Sequence, residues 1–201
     1  MRASRLVLAS GSPRRRELLT GHGFDFQIDV PDIDETIHGS ETPIGATSRL
    51  AIEKAEAVAA RRALAPSEHG QVVLAADTTV VVGERILGKP ADEREAAEML
   101  LSLAGRNHFV WTAWAVMAVA GARTSAECGI SRSIVRMREI SRVEAAAYAA
   151  TGEPMDKAGA YAAQGLGRSF IGAIVGPLDN VIGLPMAPVM SALARIGIVP
   201  T

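Results

Sequence analysis

The sequence predicts an α/β fold, a mixed twisted sheet with flanking helices, and three observations carry that prediction. The run QVVLAADTTVVV (Gln71 to Val82) is β-branched and almost continuously apolar, the composition of a central strand. Segments with helix-start signals alternate with strand-like runs along the chain. A hairpin-like excursion in the middle adds antiparallel pairing to an otherwise alternating order.

The elements follow in chain order. Arg5 to Ala9 reads as a first strand, followed by a Ser-Gly-Ser loop and a helix from Pro13 to about Thr20. Ser12 is placed to serve as its N-cap, and Pro13 suits the first helical position. An irregular acidic stretch, VPDIDETIHGSETP (Val30 to Pro43), leads into a helix from about Ile44 to Leu64. After the central strand, Asp92 with Glu95 resembles a capping box that opens a helix to about Leu103, which Gly105 ends. His108 to Ala120 and Ser131 to Met137 read as strands, paired across a turn-rich segment, Ala120 to Gly129. Ser141 with Glu144 opens another capped helix that stops at Gly152. Glu153 to Gly167 is a Gly/Ala-rich loop of a length that is usually either functional or disordered. A strand near Ser169 to Val175 and a helix near Leu184 to Arg195 close the chain.

Composition narrows the function classes. The 201 residues (21.1 kDa) fit one domain or two small lobes, with 48% hydrophobic and 21% charged residues, the balance of a folded protein. The net charge of -1 gives none of the broad positive field of a non-specific nucleic-acid binder, so any basic site is local. Cys128 is the only cysteine, which excludes an internal disulfide and any CxxC metal site. The N-terminal apolar run is too short for a signal peptide, and no stretch reaches the ~18 apolar residues of a membrane span. The expectation is a cytoplasmic protein with no membrane and no nucleic-acid partner.

The stretch LVLASGSPRRRELL (Leu6 to Leu19) puts dense positive charge at a helix N-terminus, the end the backbone dipole already makes positive. A strand running through a small-residue loop into a helix start binds phosphate, with unpaired N–H groups facing the anion and Ser10, Ser12, Arg14 and Arg15 as further donors. A solvated basic helix start is the plain alternative. Neither GxxxxGK[ST] nor GxGxxG after a strand is present. Asp77 interrupts an apolar strand, where an isolated carboxylate would be costly. It therefore needs a cation, water or a hydrogen-bond network, or sits at a strand bend satisfied by backbone N–H groups. Asp32, Asp34 and Glu35 add loop carboxylates, for which a solvated acidic turn is the commoner outcome.

Oxygen ligands without a His or Cys cluster point to Mg²⁺ or Mn²⁺ rather than zinc. His22, His38, His69 and His108 are scattered and read as structural. Lys54 falls between Leu50 and Val58 on the apolar stripe of its helix, where it either snorkels to solvent, the commoner outcome, or meets an anion at the edge of the core. Lys89 in GKP reads equally as a turn residue, and Lys157 as a local ion pair with Asp156. Together, cations, a helix N-terminus and carboxylates able to hold a divalent metal suit hydrolysis of a polyphosphate ester by an activated water.

The segments SGSPRRRELL, DIDE, IEKA, AADTTV, GKP, HFVWTA, GEPMDKAGAYAAQGLG and NVIGLP occur in the order seen in the Maf (septum formation inhibitor) family of nucleoside triphosphate pyrophosphatases, which the chain resembles from about Leu6 to Pro185. The resemblance implies an inosine-triphosphatase-like fold with two lobes around a central cleft, often a homodimer. It also implies metal-dependent attack of water on the α-phosphate, releasing a nucleoside monophosphate and pyrophosphate. On the same ground Asp77 matches the general base, and Glu35 the metal-linked carboxylate. Ser10, Arg15, Lys54 and Lys89 match positions that hold the triphosphate, and Asp156 with Lys157 matches the acidic-basic pair of the DKAG segment.

Arg14, Thr78 and Gln164 match the specificity positions of the subgroup acting on dTTP and UTP. A Gln amide offers both donor and acceptor to the N3–H and carbonyl edge of uracil or thymine, whereas a positively charged 7-methylguanine is better served by a carboxylate. The chain has AYAAQG (Ala160 to Gly165) where many members have AYGIQG, and Trp111 and Trp114 where smaller residues are often found; the tryptophans read as core packing or a cleft wall, packing being the commoner outcome. The competing readings are the same chemistry on 7-methyl-GTP, against which Gln164 argues, and a non-catalytic nucleotide-binding regulator of division, against which the retained Asp77, Glu35 and three lysines argue.

Overall fold

The computed structural model describes residues 5–64, 70–120 and 123–201; His69 and the tip of the Ala120 to Gly129 segment lie outside them. The elements run β1 (Leu6–Leu8), α1 (Pro13–Gly21), β2 (Gln27–Ile28), α2 (Pro43–Ala63), β3 (Gln71–Val82), β4 (Arg85–Leu87), α3 (Glu93–Leu103), β5 (Asn107–Ala120), β6 (Arg123–Met137), α4 (Arg142–Ala149), β7 (Ile171–Val175), α5 (Leu178–Ile182) and α6 (Met186–Arg195). The strands form one seven-stranded mixed sheet in the order β2-β1-β3-β5-β6-β7, with β4 on β3. β1 is parallel to β2 and β3, while β3–β4 and β6–β7 are antiparallel.

Two compact units share these strands. The first comprises Met1–Asp77, Thr112–Ile130 and Gly183–Thr201, and the second Thr78–Trp111 and Ser131–Ile182. In the first unit, side-chain alternation along β1 and β3 sorts the core into two layers. Leu6, Leu8, Val72, Leu74 and Ala76 pack with Leu19 of α1 and with Val189 and Leu193 of α6. Val7, Ala9, Val73 and Ala75 pack with Ala55 and Val58 of α2. Asp77 follows Val73 and Ala75 on the α2 side, which decides what it meets. Trp114 belongs to the first layer, where its indole lies over Gly129 of β6; a Cβ there would approach the ring to 2.7 Å.

That glycine therefore marks a close approach rather than a turn, and β6 begins at Arg123, well before the Ser131 start read from the sequence. The second tryptophan also departs from expectation. Trp111 is only partly buried, lies 6.5 Å from the Phe109 ring and carries the Arg132 guanidinium 5.6 Å from its centroid. The short strands β2 and β4 and the helix α5 carry too few residues to show a period.

In the second unit α3 and α4 pack through Ala96 and Ala149, with Ala160 against them. Both helices are capped as their sequences indicate. Asp92 accepts from the Glu95 N–H at 2.7 Å, though the Glu95 carboxylate reaches back to Ala91 rather than Asp92. Ser141 and Glu144 form the complete reciprocal box. His108 is fully buried, with Nε2 2.7 Å from the Tyr161 hydroxyl, and burial lowers its pKa to about 4. Because the unfolded imidazole titrates near 6.5, the unfolded chain binds the extra proton first as pH falls. Stability is therefore full above pH ~6.5 and declines as pH falls toward ~4. Urea unfolding is expected to show about 2 kcal/mol less stability at pH 5 than at pH 7, and His108→Gln to remove that share of the slope.

Candidate functional site

The first unit gathers five of the residues singled out from sequence. On α2, Leu50, Lys54 and Val58 share the face turned to the sheet, so the lysine stem runs inward rather than snorkelling out. Lys54 is 6% exposed and Asp77 8%, and Nζ donates to Asp77 Oδ1 at 2.7 Å. Glu35 Oε1 lies 3.1 Å from the same ammonium. This settles two alternatives: Asp77 is met by a cation, and Lys54 by anions at the edge of the core. One ammonium thus draws together a buried carboxylate from the sheet and a solvent-facing one from the loop.

The helix start is built differently from its sequence reading. Ser12 is the N-cap residue of α1 but makes no side-chain cap; its N–H instead donates to Ser10 Oγ at 3.2 Å. Arg15 Nη1 donates to the same Oγ at 3.1 Å, and Nε to the Gly183 carbonyl at 2.7 Å. Arg15 is therefore held against the NVIGLP segment. Its burial lowers its pKa, opposed by the Asp77 and Glu35 carboxylates, with Arg14 adding to the lowering. Those electrostatic partners place Arg15 within the field of the Lys54 cluster. Arg14 is half-buried and Arg16 exposed, so the arginine run is not a uniform solvated face.

Among the acidic loop residues, Asp34 forms the solvated turn: the Thr36 hydroxyl (2.6 Å) and N–H (2.9 Å) donate to it and lower its pKa. Glu35 alone turns to Lys54. The loop is strapped to α2 by a residue that the sequence reading passed over. Arg49 grips Glu41 with Nε–Oε1 at 2.6 Å and Nη2–Oε2 at 2.9 Å, and Nη2 also donates to the Thr36 carbonyl at 3.0 Å, one residue from Glu35. This fork holds the Glu41 carboxyl at about 2. No periodicity links positions 41 and 49 across a helix start, so nothing in the pattern signals the pair.

In the second unit, the GKP turn and the DKAG loop lie side by side, since the Gly159 N–H donates to the Gly88 carbonyl at 3.0 Å. Gly159 (φ +71°) packs on Val80, where a Cβ would come within 2.9 Å of Cγ1, and Thr78 shares that face of β3. Lys89 is exposed. Lys157 donates to the Asp156 carboxylate and to the Glu153 carbonyl, which makes the local ion pair real. Gln164 is exposed in extended backbone (φ -121°, ψ 165°) just before the 3-10 turn Gly165–Phe170. The long loop is thus ordered, with short 3-10 turns at Ala158–Ala160 and Gly165–Phe170.

Among the described residues no group of three or more His, Cys, Asp or Glu side chains converges. Asp77 and Glu35 remain as the two oxygen donors around Lys54. Cys128 is free and exposed, and no helix among the described residues is long and apolar enough to cross a membrane.

The family described as Maf-like protein matches residues 5–196. The chain is 46% identical over 193 residues to a dTTP/UTP pyrophosphatase of Myxococcus xanthus (strain DK1622), covering 96% of this chain and 93% of that protein. It is 45% identical over 194 residues to a dTTP/UTP pyrophosphatase of Hahella chejuensis (strain KCTC 2396), covering 96% and 93%. A dTTP/UTP pyrophosphatase of Desulfitobacterium hafniense (strain Y51) is 43% identical over 192 residues, covering 96% of this chain and 85% of that protein. With the family matching residues 5–196 of the 201 and relatives this similar, the chain belongs to the Maf family.

Proposed function

We propose that this protein is a nucleoside triphosphate pyrophosphatase that hydrolyses dTTP and UTP to the nucleoside monophosphate and pyrophosphate. The observation that carries the reading is the buried Asp77 carboxylate held on Lys54 beside Glu35, in a chain of nearly full-length likeness to proteins named for that activity. Lys54 takes one oxygen of Asp77 and fixes its rotamer. The other oxygen is assigned to the attacking water, whose proton it accepts as the water adds to the α-phosphorus. Ser10, Arg15 and the N–H groups opening α1 receive phosphate oxygens, where the helix dipole favours negative charge.

Lys89 and Lys157, the latter steadied by Asp156, add positive charge toward the β- and γ-phosphates. Arg14, Thr78 and Gln164 are assigned to the base and its sugar side. A divalent cation, Mg²⁺ or Mn²⁺, belongs to the same proposal. Two carboxylates with hard oxygen donors, one of them open to solvent, fit an ion that takes one or two protein carboxylates and completes its shell with water and phosphate oxygens. When bound, it supplies charge neutralisation on the phosphate oxygens. A cytoplasmic homodimer completes the proposal, supported by the family resemblance and by the free, unpaired Cys128 thiol.

The test is the purified protein with Mg²⁺ or Mn²⁺ against dTTP, UTP, CTP, dGTP and 7-methyl-GTP, with pyrophosphate and orthophosphate measured separately. Pyrophosphate from dTTP and UTP, at kcat/KM at least ~10-fold above 7-methyl-GTP, is expected. Orthophosphate as the first product would overturn the chemistry, and a preference for 7-methyl-GTP would overturn the substrate assignment.

A further inference from the structure

One side chain at the start of the loop from Glu153 to Gly167 ties down its far end. The Glu153 carboxylate accepts from the Tyr148 hydroxyl at 2.8 Å and the Gly167 N–H at 2.9 Å on Oε1, and from the Leu166 N–H at 3.1 Å on Oε2. The same Tyr148 oxygen accepts from the Ala162 N–H at 3.2 Å. The pair therefore grips the backbone two residues before Gln164 and again two and three residues after it.

The fit is close on every side. A Cβ on Gly165 (φ +73°) would stand 2.8 Å from Glu153 Oε2, and one on Gly167 would stand 2.6 Å from the Tyr148 hydroxyl and 2.7 Å from the Ala162 nitrogen. Burial alone would raise the Glu153 pKa, but the Gly167 N–H, the Tyr148 hydroxyl and the Leu166 N–H outweigh it and hold the carboxyl below its usual range. Gln164 itself is exposed between the two grips, with its side chain free of any capping bond to the turn that follows.

We propose that Glu153 is a positioning residue for base selection: through Tyr148 and the Leu166 and Gly167 amides it fixes the backbone on both sides of Gln164 and so aims the Gln164 amide. This rests on the assignment of Gln164 to the pyrimidine edge made above. Glu153 does not touch substrate in this account. Its effect is to hold Gln164 in one orientation before the nucleotide arrives, sparing an ordering cost that would otherwise fall on a base that pairs with the Gln164 amide and not on one that does not.

Glu153→Gln is the informative change, because its volume is unchanged while its NH₂ faces a backbone N–H, donor against donor. The ratio of kcat/KM for dTTP over dGTP is measured in the unaltered protein, Glu153→Gln, Gln164→Ala and the double variant, together with amide hydrogen exchange at Leu166 and Gly167. Glu153→Gln is expected to speed exchange at both amides and to lower the ratio about 10-fold, the loss of one charge-assisted hydrogen bond, chiefly through KM for dTTP. In the Gln164→Ala background it is expected to lower the ratio no further. If Glu153→Gln does not fold, Tyr148→Phe removes the shared hydroxyl and takes its place in the cycle.

An equal fall of the ratio in both backgrounds, or unchanged exchange at the two amides, would overturn the proposal. A ratio that moves with Gln164→Ala but not with Glu153→Gln would overturn it while leaving Gln164 on the base. A ratio unmoved by Gln164→Ala would remove Gln164 from base recognition and take the proposal with it.

Discussion

Asp77→Asn is expected to lower kcat for dTTP by at least ~100-fold while leaving the fold intact, because the amide keeps the shape and one acceptor but is a far weaker proton acceptor. The geometry makes this a clean substitution. Asp77 Oδ1 already receives the Lys54 ammonium at 2.7 Å, and an Asn carbonyl oxygen receives it in the same place. Glu35 still lies 3.1 Å from that ammonium, so no buried cation is left without a carboxylate. Steady-state kinetics beside a thermal melt separate the two effects. A large fall in kcat with an almost unchanged Tm is the expected pair of results, and near-normal turnover would take the base role away from Asp77.

Lys54→Met carries the second large effect, and it strikes stability as well as rate. The change leaves Asp77, only 8% exposed, with its buried cation removed. Breaking one side of such a pair costs about 3 kcal/mol, which in a chain of this size lowers Tm by roughly 6–12 °C. Activity is expected to fall at least ~100-fold as well, since the carboxylate loses the contact that fixes it. Adding Asp77→Leu separates the two consequences. Replacing both charges by apolar groups of similar volume restores most of the lost stability, while turnover stays absent. A double variant as unstable as Lys54→Met alone would show that the pair is not the source of the loss.

The sequence made some of this architecture plain and hid the rest for physical reasons. β3 was bounded correctly at Gln71 and Val82 because a strand covered on both faces has an apolar run with sharp polar ends. α3 and α4 were legible from their caps, which are local devices. The first half of β6 was not, because Ser125, Ala126 and Cys128 face solvent and Gly129, one of the segment's apparent turn signals, is there for the Trp114 ring. Helix periodicity put Lys54 on the buried face, but only the fold could say that Asp77 and Glu35, distant in sequence, would be its anions. The helix start conceals its partners in the same way: Ser12 makes no side-chain cap, and the arginine that donates to Ser10 Oγ is tied to Gly183, far along the chain. Caps and strand runs are written in neighbours; the site is written in long-range pairs.

Hydrolysis of dTTP in ¹⁸O-labelled water tests the central claim most directly, that Asp77 directs water to the innermost phosphorus. The account predicts that a single turnover places the label in the nucleoside monophosphate and leaves the pyrophosphate unlabelled. Label recovered in pyrophosphate, or in orthophosphate, would mean that water attacks a different phosphorus and would contradict it.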